Sequence, residues 1–299
     1  MRVLVTGATG NVGRIVVEQL VAAGVRVRAM TRWPQRARFA EAVETVAGDL
    51  ADPATLEPVL AGVDRMYLFP VPGTAREVVS LARRAGVERV VVLSSSAVTG
   101  GADTTFHLPV EQAVEEFSPE WTHVRPGEFM LNKLFLWGPS IRAEGVVYEP
   151  FPEVASWPVH ERDVADVAVA ALLRDGHHGK AYDLSGPEFI TRQEQVDAIA
   201  TASGREVRLD VVTPEQAREH YRRQGGFAAA NADFLLGFTD YQGNKREPTS
   251  VWYPTVRPAG PRPTAQRVTG LPSRTFAQWA RDHADEWREI ERRGTSGAG

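Results

Sequence analysis

Residues 2–13 read Arg-Val-Leu-Val-Thr-Gly-Ala-Thr-Gly-Asn-Val-Gly, a short apolar run that ends at three glycines spaced three residues apart. This pattern is typical of a buried parallel strand that turns sharply into a helix. Gly7 makes the turn, Gly10 lets the backbone approach a pyrophosphate, and Gly13 lets the helix pack on the strand. The helix N-terminus then offers free N–H groups and a positive dipole end. The candidate nucleotide contacts of this turn are Gly7, Thr9, Gly10, Asn11, Val12 and Gly13.

The residues that follow the turn favour a nucleotide site over a purely structural glycine turn. An amphipathic helix comes next, with apolar residues at Ile15, Val16 and Leu20, and residues 25–31 then predict a second strand. A strand, glycine turn, helix and second strand in this order are the local context that a dinucleotide site requires.

The end of the second strand indicates which dinucleotide is bound. Proteins selective for NAD place a carboxylate there for the ribose 2′-hydroxyl, whereas a 2′-phosphate needs a cation. Here Arg32 follows the strand, Arg36 and Arg38 come soon after, and no carboxylate occurs before Glu41. A guanidinium suits a phosphate because it donates in a plane and keeps its charge. Arg32 and the cofactor NADP are therefore predicted, while at least one of Arg36 and Arg38 is interpreted as part of a solvated helix face.

Composition narrows the class of protein. The chain has 299 residues, a formal net charge of −4 and no cysteine. The acidic balance argues against a nucleic-acid partner, and the lack of cysteine excludes disulfides and thiolate chemistry. The first strand begins at the N-terminus, which leaves no room for a signal peptide, and no apolar run reaches membrane-spanning length. We therefore expect a cytoplasmic protein that acts on a small molecule, without a membrane or nucleic-acid partner, as a monomer or homodimer.

Strands and helices alternate along the first half, which predicts a doubly wound parallel α/β sheet. Strands are predicted at 25–31, 43–47, 65–69, 90–94 and 122–125, with a helix near Pro53 and helices at 75–85 and 110–116. The carboxyl ends of such strands share one edge, where ligands bind. The candidate cofactor contacts at this edge are Asp49, Leu50, Phe69, Pro70, Ser94, Pro126 and Phe129. Asp49 is predicted either to contact adenine or to cap the helix at Pro53.

The alternation loosens beyond about residue 127. Residues 180–184 and 207–212 predict strands, while 192–202, 214–223 and 275–288 predict helices, the first of them capped by Thr191. Residues 225–269 are rich in glycine, proline and aromatics and predict a long loop. We interpret 1–127 as an NADP-binding Rossmann domain, with part of 155–190 returning to its sheet. Residues 128–299 are interpreted as a smaller C-terminal α/β substrate domain that includes an aromatic-rich cover at 226–267.

Four motifs carry a resemblance to a known family. They are Thr6-Gly7-Ala8-Thr9-Gly10-Asn11-Val12-Gly13, Gly48-Asp49-Leu50, Leu93-Ser94-Ser95 and Val124-Arg125-Pro126-Gly127-Glu128-Phe129-Met130-Leu131-Asn132. Together they are similar to the NmrA-like group of atypical short-chain dehydrogenases/reductases, over residues 1 to about 225 and again over 268–287. The resemblance implies a Rossmann domain that binds NADP and a smaller substrate domain. The family it points to includes quinone and dye reductases as well as regulators that bind the dinucleotide without turnover.

The catalytic residues depart from the wider superfamily. Ordinary short-chain dehydrogenases use a tyrosine, a lysine four residues later and a serine. Aligning Glu115 with the family's helix glutamate places His107 at the tyrosine position and Glu111 at the lysine position. In isoflavone reductase-like relatives, the resemblance implies a lysine general acid at the first position. Histidine can do the same work because its pKa lies near working pH. His107 is predicted as proton donor, Glu111 as the group that orients it, and Ser95 as a carbonyl contact; the alternatives are a surface histidine and serines that only satisfy strand-end backbone groups.

Two classes of function follow from these residues. The first is an NADPH-dependent reductase that transfers hydride to an apolar aromatic, quinonoid or enone-type molecule. The second is a catalytically silent NADP-binding redox sensor, with a redox-neutral isomerase or cyclase as a further alternative. No metal site is predicted: His160 precedes Glu161 and Asp163, but Asp163 is interpreted as the N-cap of the next helix.

Overall fold

The structure, a computed structural model, describes residues 1–249 and 265–288. Most of its strands are short and largely buried. In chain order they are β1 (Arg2–Val5), β2 (Arg26–Thr31), β3 (Glu44–Ala47), β4 (Arg65–Leu68), β5 (Arg89–Leu93), β6 (Glu120–Pro126), β7 (Val146–Glu149), β8 (Ala155–Ser156), β9 (Lys180–Leu184), β10 (Ile190–Thr191) and β11 (Arg208–Val211).

The helices connect these strands and range from one to about three turns. In chain order they are α1 (Gly13–Ala22), α2 (Glu57–Leu60), α3 (Ala75–Arg84), α4 (Ser96–Thr99), α5 (His107–Phe117), α6 (Asn132–Leu136), α7 (Gly138–Glu144), α8 (Glu161–Leu173), α9 (Arg192–Ser203), α10 (Pro214–Gln224), α11 (Gly226–Leu235), α12 (Gln266–Thr269) and α13 (Phe276–Asp282). None of the helices in the described part of the chain is long and apolar enough to cross a membrane.

The large sheet has seven parallel strands in the order β3-β2-β1-β4-β5-β6-β9. Its strands alternate between two cores, since Val3 and Val5 of β1 face one core and Leu4 faces the other. Helices α1 and α8 cover the first face, and α2, α3 and α5 cover the second. The predicted doubly wound Rossmann fold is confirmed, and β1 lies at the point where the strand order reverses.

The chain divides into two compact units. The described residues of the first unit are 1–129, 159–187 and 265–273, and they contain the seven-stranded sheet. Those of the second unit are 130–158, 188–249 and 274–288, with the strand pairs β7–β11 and β8–β10. The second unit has its own buried core around Trp137, Tyr221 and Trp279. The assignment of substrate binding to residues 128–299 stays a prediction.

The predicted long loop at 225–269 is wrong over its first part. Residues 226–235 form α11, whose Ala228 and Ala232 are buried one turn apart. The reason is an alanine-rich run, because alanine favours helix strongly, and Gly225 with a φ of +78° separates α11 from α10. The last part of the predicted loop contains α12, and residues 250–264 of the predicted cover lie outside the described residues.

The close approach of α1 to the end of β1 is testable at Gly13. A Cβ atom there would overlap the Gly7 carbonyl oxygen and lie 2.9 Å from the Gly7 carbonyl carbon. Both obstacles are backbone atoms, so Gly13→Ala should lower the free energy of unfolding by about 1–3 kcal/mol or more. Urea denaturation measures this, with Gly73→Ala as control because a Cβ at Gly73 meets nothing within 4 Å. Equal stability of the two variants would contradict the prediction.

Candidate functional site

The glycine turn is built by hydrogen bonds at the end of β1. The Thr6 hydroxyl donates to the Tyr67 carbonyl at 3.0 Å and accepts from the Phe69 backbone N–H at 2.8 Å. Gly7 then takes a φ of +59°, and the Gly10 N–H donates to the Gly7 carbonyl at 2.9 Å. The left-handed backbone at Gly7 favours glycine. The chain thus reverses at the carboxyl edge of the sheet and enters α1.

The turn presents backbone donors to the outside. Thr9, Gly10 and Asn11 are exposed, and among the described residues the N–H groups of Asn11 and Val12 have no acceptor. The Val12 side chain is buried, so only its backbone is available to a ligand. The first turn of α1 carries no acidic residue. No carboxylate of that turn therefore competes with an anionic ligand for the positive end of the helix dipole. These features fit the pyrophosphate of a dinucleotide.

Arg32 follows β2 at the same edge of the sheet. It is exposed, and it has no hydrogen bond or ion pair with any other described residue. Arg36 instead lies over the Trp33 ring at 5.4 Å, and Arg38 contacts the Ala37 carbonyl at 3.4 Å. Arg32 therefore has an uncommitted guanidinium where a 2′-phosphate is expected, while Arg36 is partly engaged by Trp33.

Asp49 does not cap the helix at Pro53, so that alternative is wrong. Its Oδ1 accepts from the Ala51 N–H at 2.9 Å and closes a tight turn, and Asp52 takes the N-cap position of the 3₁₀ helix at Pro53–Thr55. The turn holds the Asp49 side chain three residues short of the cap position. Its predicted contact to adenine stays a prediction.

Leu50 and Phe69 line a shallow apolar depression together with Val110 of α5. Phe69 is 44% exposed, whereas Pro70 beside it is buried. On β6, Pro126 is buried and ends the strand, and Phe129 forms a parallel bridge with Val159. All five predicted cofactor residues of this group follow or end strands of the large sheet, within the first unit.

The three serines after β5 have different hydrogen-bond partners. Ser94 is buried and donates to Glu111 Oε1 at 2.5 Å. The Ser95 hydroxyl accepts from the Ala97 N–H at 3.2 Å and caps α4. Ser96 makes no side-chain hydrogen bond within the described residues and lies next to Gly127. Ser96 is thus the serine of this run whose hydroxyl is available to a ligand.

Glu111 is part of a buried ion pair. Its carboxylate accepts from both Nε and Nη2 of Arg125, the former at 2.8 Å, in addition to Ser94. Burial alone would raise the pKa of Glu111, but the hydrogen bonds from Arg125 and Ser94 and nearby positive charge outweigh burial and lower that pKa. The expected contact between Glu111 and His107 is wrong, because the guanidinium occupies both carboxylate oxygens.

His107 is paired with a residue that sequence reasoning missed. Helix α5 begins at His107, three residues earlier than predicted, and Asp103 Oδ2 lies 2.5 Å from the imidazole Nδ1. Asp103 also accepts from the backbone N–H groups of Phe106 and His107. The signal in the sequence was an aspartate placed just before a helix, which is a common capping arrangement. His107 therefore lies at the N-terminus of α5 with a carboxylate behind it.

The interpretation of Asp163 as an N-cap is also wrong. Helix α8 begins at Glu161, and its N-cap is His160, whose Nδ1 accepts from the Arg162 N–H at 3.1 Å. The imidazole nitrogen performs the role usually taken by a short polar side chain. The described residues contain no group of three or more metal-ligating side chains.

Comparisons with known proteins agree with this geometry. Residues 7–175 match the family described as NAD(P)H-binding. The chain is 38% identical to (4-alkanoyl-5-oxo-2,5-dihydrofuran-3-yl)methyl phosphate reductase of Streptomyces griseus, covering 95% of this chain and 98% of that protein. It is 34% identical to the NAD(P)H azoreductase of Xenophilus azovorans, covering 94% and 98%. Its fold is similar to that of Citrobacter sp. triphenylmethane reductase complexed with NADP(H), with a TM-score of 0.74, 21% identity and coverage of 95% and 100%.

The chain belongs to the NAD(P)H-binding family. It is an NAD(P)H-dependent oxidoreductase, and its α5 carries His107 and Glu111 where ordinary short-chain dehydrogenases are expected to have the tyrosine and the lysine. The NAD(P)-binding family that the motifs predict and the dinucleotide cofactor inferred from the glycine turn are confirmed.

Glu111 is expected to contribute to the stability of the folded protein. Glu111→Gln leaves the Arg125 guanidinium without its anion and should lower the free energy of unfolding by about 3 kcal/mol. Because the pKa of Glu111 is lowered in the folded state, its contribution is present above the ordinary glutamate pKa and is lost as pH falls. Urea denaturation at pH 7 and pH 4 tests this, since the stability difference between variant and wild type should shrink at pH 4. A variant with wild-type stability at pH 7 would contradict the structural role.

Arg32 is expected to determine the preference for NADPH over NADH. Arg32→Ala should weaken NADPH binding by roughly 1.5–3 kcal/mol, the range for a hydrogen bond to a charged group, and leave NADH binding nearly unchanged. Calorimetric titration of both cofactors measures the difference. Arg26→Ala is the matched control, because Arg26 is an exposed arginine at the opposite end of β2. Equal losses for NADPH and NADH would show that Arg32 does not contact the 2′-phosphate.

Proposed function

We propose that the protein is an NADPH-dependent reductase that transfers hydride to an apolar aromatic, quinonoid or enone-type small molecule. The observation that carries this proposal is the imidazole of His107 at the N-terminus of α5, held by Asp103 and flanked by the exposed ring of Phe106. A proton donor beside an apolar surface is what reduction of a conjugated apolar molecule requires.

The first unit supplies the cofactor contacts. The glycine turn would hold the pyrophosphate through its backbone N–H groups, and Arg32 would bind the 2′-phosphate. Bound NADPH supplies a hydride, which adds two electrons and one proton to the acceptor. The remaining proton has to come from the protein or from water. His107 is the group that we assign to this step.

The position of His107 supports that assignment. Glu111 lies one helical turn further along α5 and is bonded to Ser94, the residue that follows β5. A turn of helix is about 5.4 Å, so His107 lies near the carboxyl edge of the sheet rather than along its middle. Glu111 itself takes the position of the missing lysine, but its partner is Arg125. Of His107 and Glu111, only His107 is therefore left to donate the proton.

The relatives support the substrate class without fixing the substrate. The name of the Streptomyces griseus relative describes a 5-oxo-2,5-dihydrofuran that carries an alkanoyl group, in which the ring double bond is conjugated to carbonyl groups. The name of the Xenophilus azovorans relative describes reduction of an azo compound. Both acceptors contain a conjugated double bond that takes up hydride and a proton. We infer the same kind of acceptor for this chain.

Turnover with a panel of acceptors tests the proposed function. Purified protein is mixed with NADPH and an alkanoyl dihydrofuranone, a quinone or an azo dye, and the loss of nicotinamide absorbance is followed. Oxidation of NADPH that depends on the acceptor is the expected result. Tight NADPH binding with no turnover on any acceptor would instead favour the redox sensor.

His107→Phe tests the proton donor in the same assay. Removal of a general acid should lower kcat by about 10²–10⁴-fold on an acceptor that needs a proton. Affinity for NADPH should stay the same, because His107 is assigned no cofactor contact. Unchanged kcat on both the dihydrofuranone and the quinone would exclude His107 as the donor.

A further inference from the structure

Asp103 uses its two carboxylate oxygens for two different tasks. Oδ1 accepts from the backbone N–H groups of Phe106 at 2.9 Å and His107 at 3.1 Å, which fixes the start of α5. Oδ2 lies 2.5 Å from Nδ1 of the His107 ring. The Asp103 side chain is only 1% exposed, while that of His107 is 18% exposed. One buried carboxylate therefore sets both the helix start and the orientation of the ring.

The charge of Asp103 determines which ring nitrogen carries the hydrogen. Burial alone would raise the pKa of Asp103, but hydrogen bonds from the His107 ring and from the two backbone N–H groups outweigh burial and lower that pKa. The carboxylate is thus ionised at neutral pH and can only accept hydrogen bonds. Nδ1 of His107 must then be the donor, which leaves Nε2 as the nitrogen that exchanges protons.

Nε2 of His107 is available to a ligand. No described residue forms a hydrogen bond with Nε2. The hydrogen-bond partner of the ring is Asp103, which lies at Nδ1. The Phe106 ring packs edge-on against the imidazole, with centroids 4.8 Å apart, and is itself 45% exposed. The imidazole is therefore fixed on two sides and open at the nitrogen that can give up a proton.

We propose that Asp103 is a positioning residue that makes His107 a directed proton donor, in a dyad that selects acceptors whose reduction leaves a basic oxygen. Asp103 fixes the Nδ1–H tautomer by accepting the hydrogen bond from Nδ1, so that the proton leaves from Nε2. The Nε2–H bond breaks, an O–H bond forms on the acceptor, and neutral imidazole stays bonded to Asp103. This inference rests on the proposed reductase function.

The dyad should matter most for enones. Hydride addition to an enone leaves an enolate, which is a strong base, so a donor in place stabilises the transition state. Hydride addition to a quinone leaves a phenolate of lower basicity, which water can protonate after the hydride step. General acid catalysis follows this order of basicity. A reductase with this dyad should therefore lose far more activity on an enone than on a quinone when the dyad is broken.

Asp103→Asn separates the two tasks of Asp103. The amide oxygen can still accept from the Phe106 and His107 N–H groups and cap α5, while the amide NH₂ would face Nδ1 and force the hydrogen onto Nε2. The same change of tautomer, with geometry intact, inactivates a serine protease whose catalytic aspartate is replaced by asparagine. Long-range ¹H–¹⁵N NMR of the ligand-free protein should show Nδ1–H in wild type and Nε2–H in the variant.

Kinetics of the same variant give the second readout. With an enone, kcat should fall by about 10²–10⁴-fold with KM and NADPH affinity nearly unchanged, and with a quinone it should fall less than about tenfold. Asp103→Ser, which also keeps a capping oxygen, should show the same loss if folding is not the cause. Glu116→Gln is the control, because it removes a carboxylate from the same helix at an exposed ion pair with Arg76.

The outcomes separate this inference from the proposed function. An unchanged tautomer, or an unchanged kcat on the enone in a variant whose tautomer has changed, overturns the role of Asp103 even if wild type is an active reductase. Equal losses on enone and quinone overturn the selection of basic acceptors. A wild type without any turnover refutes the proposed function, and the role of Asp103 in catalysis falls with it. The changed tautomer together with the enone-specific loss supports the dyad.

Discussion

Gly13 packs so close to the end of β1 that a Cβ atom on it would overlap the Gly7 carbonyl oxygen. This contact fixes the angle at which α1 leaves β1, because any larger residue would push the helix away from the strand. Since β1 lies between β2 and β4 in the sheet, its end is also the point where the strand order reverses. The backbone N–H groups of the turn therefore lie at the same crevice as Arg32 and Phe69.

A second buried contact places the chemistry beside that crevice. Glu111 joins three elements, because it accepts from Ser94 after β5 and from Arg125 on β6 while belonging to α5. An ion pair at this depth is costly to desolvate and adds little net stability, but removing one partner is strongly destabilising. Its effect is to fix α5 against the strand ends. The position of His107, one turn earlier, follows from that constraint.

Local signals in the sequence were sufficient for most of the sheet and for the glycine turn. The apolar run at β1, the glycine spacing and the Thr191 cap of α9 depend on neighbours within a few residues. The contacts of Glu111 could not be derived in this way, because Arg125 is 14 residues away and adjacent only through the pairing of β5 with β6. Helix α11 was missed for a different reason, since flanking glycines and aromatics outweighed a run of alanines.

One carboxylate precedes His107 and another follows it at the same spacing. The spacing alone does not decide which of the two pairs with the imidazole. Glu111 and Asp103 are both four residues away along the chain. A guanidinium keeps its charge at every working pH and donates to both carboxylate oxygens at once, whereas one imidazole nitrogen donates a single hydrogen bond. Glu111 therefore gains more from Arg125 than it could gain from His107. Among the described residues, the His107 ring is the side-chain hydrogen-bond partner of Asp103. Competition for the Arg125 guanidinium thus leaves the histidine to the carboxylate that also accepts from the first N–H groups of its helix.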